Sequence, residues 1–181
     1  MNAFRKMQQR LQEEGWYVGW NEPCCQSCAW SCLPYEFEDG PFKGEEVDYD
    51  KVLFNHSQDC ELDLYMEEME CHVCDGEGYV YDEAQGEDDD DECKACGGSG
   101  YNQAMLETAY DDDELDRSVD GFVCLTPEAS TGSMFCFSGS KEGVENLKAV
   151  LPIIEECGCT VYWNGTGDVR PEISWDYSSG E

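Results

Sequence analysis

An eight-residue pattern, Cys71-His72-Val73-Cys74-Asp75-Gly76-Glu77-Gly78, recurs as Cys93-Lys94-Ala95-Cys96-Gly97-Gly98-Ser99-Gly100. Both copies read CxxCxGxG. Two residues between thiolates let one tight turn present both sulfurs to the same ion, and glycine adopts backbone angles that other residues resist. Cys71, Cys74, Cys93 and Cys96 are therefore read as the four ligands of one structural Zn²⁺. Such a tetrathiolate has no open position for substrate, which points to folding or docking rather than catalysis. A redox-active CxxC is the competing chemistry.

A second group, Cys24, Cys25, Cys28 and Cys32, repeats the CxxC spacing, and His56 could add a nitrogen. It is read as a second metal site, a reactive or regulatory thiol cluster, or cysteines packed as small apolar side chains. A zinc deaminase arrangement is excluded, because Ser27 stands where the second cysteine of P-C-x-x-C belongs and no glutamate follows His56 at the required place. Between the two glycine-rich repeats runs Glu87-Asp88-Asp89-Asp90-Asp91-Glu92. With four thiolates and Zn²⁺ adding a formal charge of about −2, this segment is either a solvated spacer or a docking element for a basic surface. A bare acidic run lacks the glycine-positioned loop of an EF-hand.

The paired repeats, each followed by a tyrosine (Tyr79 and Tyr101), resemble the cysteine-rich zinc finger of the DnaJ co-chaperones over residues 71 to 101. The family's His-Pro-Asp tripeptide is absent, so the resemblance implies metal binding and not co-chaperone activity. The flanking order of helix, strand, CCQSC, strand, FNHSQD, helix and VYWNGT hairpin resembles a small family of uncharacterised bacterial and phage domains. That resemblance directs attention to Cys24, Cys25, Cys28, His56, Gln58 and Asp59, and implies an architecture without an activity.

Several elements must position these groups. Phe4, Met7 and Leu11 have the period of an amphipathic helix that stops at Gly15. Trp16 to Trp20 and Lys51 to His56 read as strands, as do Gly121 to Leu125 and Met134 to Phe137, and Leu62 to Met66 continues as a third apolar segment. Val144, Leu147, Leu151 and Ile154 mark a second helix capped by Ser140, with Pro152 as a potential kink. Thr160 to Trp163 and Glu172 to Trp175 flank a turn at Asn164 to Gly167. The expected fold is α+β: a small antiparallel sheet with an N-terminal and a C-terminal helix, plus an inserted zinc-knuckle β-hairpin. The host domain spans 1–66 and 120–176, the knuckle with its acidic loop 67–104, and an acidic linker 105–119.

A 181-residue chain carrying 40% hydrophobic residues can build one sizeable core. Its 42 acidic against 10 basic residues give a formal charge of −32, a field that repels nucleic-acid backbones and speeds encounter with basic proteins. Solubility alone is the plainer use of that charge. No apolar stretch suits a membrane helix or a signal peptide, and 13 cysteines, an odd count, suit reduced thiols. A cytoplasmic setting is expected. Together these features describe a non-enzymatic, zinc-binding interaction protein that docks on a basic protein surface, with no direct nucleic-acid or membrane contact. A phage-encoded nucleic-acid mimic, inhibiting a host factor, is its sharper form. The alternative is a redox sensor or metal-dependent enzyme using CCQSC with His56.

Overall fold

The computed structural model describes residues 1–22, 25–36, 42–59, 69–81, 90–112, 114–117 and 123–176. The described residues are mixed α/β, with four α-helices and two three-stranded sheets. In chain order the elements begin α1 (Ala3–Glu13), β1 (Tyr17–Glu22), α2 (Gln26–Glu36), β2 (Val52–His56), β3 (Tyr79–Tyr81), β4 (Asp90–Glu92) and α3 (Gln103–Asp111). They continue as β5 (Leu115–Arg117), β6 (Val123–Leu125), β7 (Gly132–Met134), β8 (Cys136–Phe137), α4 (Lys141–Glu156), β9 (Cys159–Tyr162) and β10 (Glu172–Trp175). The chain divides into two compact units: Met1–Cys60 with Asp116–Glu181, and Glu61–Leu115. No described helix is long and apolar enough to cross a membrane.

In the first unit, α1 starts where the Asn2 side chain accepts the Arg5 N–H at 2.9 Å, satisfying one orphan donor of the first turn. Its apolar positions Phe4, Met7 and Leu11 are fully buried. The Ser140 hydroxyl caps α4 by accepting the Gly143 N–H at 2.9 Å, and Leu147, Val150 and Ile154 form its buried stripe. The helix runs through Pro152 to Glu156. Both helices contribute to one core with Val18, Leu53, Phe135, Ile173 and Trp175. Phe4 lies at its centre, with ring centroids 5.1 Å from both Trp20 and Trp175.

One sheet has the order β1-β2-β8, the other β7-β10-β9. In the second sheet β10 is antiparallel to both neighbours, which agrees with the expected closing strands. The first sheet departs from the expected antiparallel design: β1 and β2 are parallel, and only β8 runs against β2. The reason is α2, which carries the chain back between two strands of the same direction. It occupies residues 26–36, where the sequence shows no amphipathic period, and buries Ala29 and Leu33 against Val52, Phe54 and Cys136. Strand β2 is thus covered on both faces, with Leu53 in the first core and its neighbours Val52 and Phe54 in the second.

In the second unit, α3 starts two residues before the stretch expected to be an acidic linker and runs into it as far as Asp111. Its Asn102 side chain accepts the Met105 N–H at 3.3 Å. The apolar segment Leu62 to Met66, and Gly121 and Phe122 of an expected strand, lie outside the described residues.

Candidate metal centre and the neighbouring thiol and imidazole clusters

The two CxxCxGxG repeats fold into matching halves. Cys71 N–H donates to the Gly100 carbonyl and Cys93 N–H to the Gly78 carbonyl, both at 2.8 Å. Inside each half the second cysteine's sulfur accepts an amide: Gly78 N–H to Cys74 Sγ and Gly100 N–H to Cys96 Sγ, both at 3.3 Å. The strand leaving one half pairs with the residue entering the other, Tyr79 with Glu92 and Tyr101 with Glu70. The last glycines make this exchange fit. A Cβ on Gly78 would sit 2.4 Å from the Gly98 carbonyl oxygen, and one on Gly100 2.2 Å from that of Gly76. Both have φ near +80°, where a side chain is strained.

This frame brings all four sulfurs together and buries them. Cys71 Sγ lies 3.9 Å from Cys93 Sγ, and Cys74 Sγ 3.7 Å from Cys96 Sγ. These distances are far beyond a disulfide bond of about 2.05 Å. They match the edge of about 3.8 Å expected for a tetrahedron of sulfurs 2.3 Å from a central zinc ion. The buried four-cysteine cluster can hold one metal ion.

Burial pushes the Cys74 thiol up. At Cys96 burial acts the same way, but the Gly100 amide and hydrogen bonds from Cys93, Cys74 and Cys71 outweigh it and bring that thiol down. Cys74 and Cys96 hold equivalent places in the two repeats, each accepting the amide of the repeat's last glycine. Four thiolates this close would repel one another, and a cation among them would offset that repulsion.

No family model, no curated protein and no solved structure matches this chain. The chemistry rests on the residues themselves.

His56 ends β2, and because β1 and β2 are parallel it stands at the same end of the sheet as the start of α2. Its ligating nitrogen groups with Asp59 and Cys136 rather than with Cys25, Cys28 or Cys32. Cys24 lies outside the described residues. The place a metal would take among the three is filled by Arg170. Its Nη1 is 3.3 Å from His56 Nε2, 2.8 Å from Asp59 Oδ2 and 3.2 Å from Cys136 Sγ. Its Nη2 completes a fork to Asp59 Oδ1 at 2.8 Å. A planar guanidinium with a bidentate carboxylate is a satisfied ion pair.

Burial lowers the His56 pKa, opposed by Asp59 and reinforced by Arg170. His56 Nε2 also lies 3.1 Å from Asp59 Oδ2, so a neutral ring either donates to that carboxylate from Nε2 or accepts there from Arg170, while Nδ1 is buried with no hydrogen-bond partner among the described residues. Burial raises the Cys136 thiol, despite the Arg170 contact. Neutral imidazole, protonated thiol and paired ions form a tether for the loop between β9 and β10, without an activated nucleophile.

The roles of Arg170 and Cys136 carry no signal in the sequence. Asp59 follows His56 by three residues in a 3-10 turn, a spacing that signals the pair, but nothing in the chain order announces an arginine 111 residues beyond Asp59. Of the acidic run, Asp90, Asp91 and Glu92 form β4, opposite Tyr81, Val80 and Tyr79. Glu87, Asp88 and Asp89 lie outside the described residues.

Proposed function

We propose that residues 71–101 form a structural zinc knuckle and that the protein is a non-enzymatic interaction protein, using this acidic module to dock on a basic protein surface. The observation that carries the zinc reading is the set of four buried sulfurs, with edges of 3.7 and 3.9 Å in two symmetry-like pairs. The DnaJ-like repeat pattern supports zinc over other tetrahedral thiolate metals, and a closed four-sulfur shell supports a structural role. The acidic docking role rests on charge. The chain carries −32, a zinc tetrathiolate adds about −2, and β4 brings three acids to the strand beside the second repeat.

In its sharper form the protein is a nucleic-acid mimic, encoded by a phage and inhibiting a host factor. The measurement is capture of defined basic nucleic-acid-binding proteins by the metal-loaded chain at low and high salt, with duplex DNA as competitor. Capture released by salt and by DNA, and lost in Cys93→Ser, is the expected result. Binding indifferent to both, or no binding at low salt, would remove the docking reading while leaving the zinc reading intact.

A further inference from the structure

The described cysteines fall into two classes. Eight are buried, while Cys28 is exposed and Cys25 and Cys32 are half-buried, and these three all belong to the start and body of α2. At 100° per residue they lie within about 60° of the helix circumference, a stripe beside the buried Ala29 and Leu33. Ala29 N–H donates to the Cys25 carbonyl at 2.9 Å, so Cys25 holds the N-cap and Cys28 the third helical position. On helical geometry the Cys28 Cα is about 5 Å from that of Cys25 and about 6 Å from that of Cys32. Both separations fall inside the roughly 4.4 to 6.8 Å over which a disulfide closes.

The three do not appear among the described clusters of ligating atoms within 4.8 Å of one another, which sets them apart from the knuckle cysteines. The first turn of α2 holds no acidic residue, although the chain has 42. The peptide dipoles there favour a thiolate.

We propose that Cys25 and Cys28 are a redox dithiol, oxidised by thiol–disulfide exchange with a low-molecular-weight disulfide. The Cys28 thiolate attacks one sulfur of the external disulfide; that S–S bond breaks and one thiolate leaves. The Cys25 thiolate then attacks the Cys28 sulfur of the mixed disulfide, forming the Cys25–Cys28 bond and expelling the second thiolate. Two protein thiols lose two electrons and two protons, and the external disulfide gains them as two thiols. Cys28 is the attacking residue because it is exposed, and Cys25 resolves because it is adjacent and less accessible.

The test treats the full-length, metal-loaded chain with mixtures of oxidised and reduced glutathione, followed by alkylation and peptide mass mapping. The expected product is a Cys25–Cys28 disulfide with the metal retained. Cys28 should be alkylated about tenfold faster than Cys32 at neutral pH, and Cys25→Ser should trap a glutathione adduct on Cys28. Cys24→Ser should still form the bridge. A bridge from Cys28 to Cys32, its loss in Cys24→Ser, a Cys28 that stays a thiol in oxidised glutathione, or Cys25→Ser protein without the adduct would each overturn the proposal.

Discussion

The two units differ in what their described clusters bury. In the first, a cluster of fifteen buried residues that includes Phe4 and Trp175 draws on two helices and both three-stranded sheets, and the favourable term is apolar surface removed from water. In the second, the buried cluster at the glycine repeats consists of four cysteines, the described apolar residues buried elsewhere in the unit are Met69, Ala109 and Leu115, and β3 leaves Tyr79 and Val80 exposed. The metal proposed to join the sulfurs would add its binding free energy to the folding of residues 71–101. The same difference separates the two candidate ligand sets. Among His56, Asp59 and Cys136 the cation is already supplied by Arg170, while at the knuckle the four sulfurs face one another.

The comparison is broken most severely by metal removal. Structural zinc contributes about 10 to 16 kcal/mol in small finger peptides, so chelation should abolish amide protection in residues 71–101 while α1 and α4 keep theirs; hydrogen exchange reads both. Phe4→Ala should do the reverse, costing the first unit about 3 to 5 kcal/mol in denaturant unfolding and leaving the metal bound.

Within the knuckle, Gly78→Ala and Gly100→Ala should each cost about 2 to 4 kcal/mol, read as weakened metal affinity, because each Cβ would run into a backbone carbonyl of the other half. A smaller effect belongs to His56. Its folded pKa is lowered, so below the ordinary value of about 6.5 the unfolded chain binds the proton more readily. Its contribution is present above that pH and lost as pH falls through the folded value, with a slope of at most about 1.4 kcal/mol per pH unit. His56→Gln should flatten this part of the stability profile. Asp75 sharpens the internal symmetry: its φ of 47° matches the 60° of Gly97 in the other repeat, so Asp75→Gly should raise thermal stability by about 0.5 kcal/mol.

Readability from sequence follows the range of the interactions. Helices α1 and α4 were legible because apolar spacing and capping residues act within a few positions. The clustering of Cys71, Cys74, Cys93 and Cys96 was legible because their CxxC spacing is local and repeated. Helix α2 was not: Ser, Cys and Pro34 are weak helix formers and its apolar positions mark no clear face, so tertiary burial of Ala29 and Leu33 decides it. The parallel pairing of β1 and β2 depends on that missed crossover. Arg170 reaches Asp59 only after the sheets assemble, a long-range ion pair with no sequence period.

The central claim is that Cys71, Cys74, Cys93 and Cys96 hold one metal ion. Elemental analysis of the purified chain beside Cys93→Ser tests it directly. One equivalent of zinc in the parent and none in the variant is the predicted result; a parent free of metal, or zinc retained at full stoichiometry in Cys93→Ser, would contradict it.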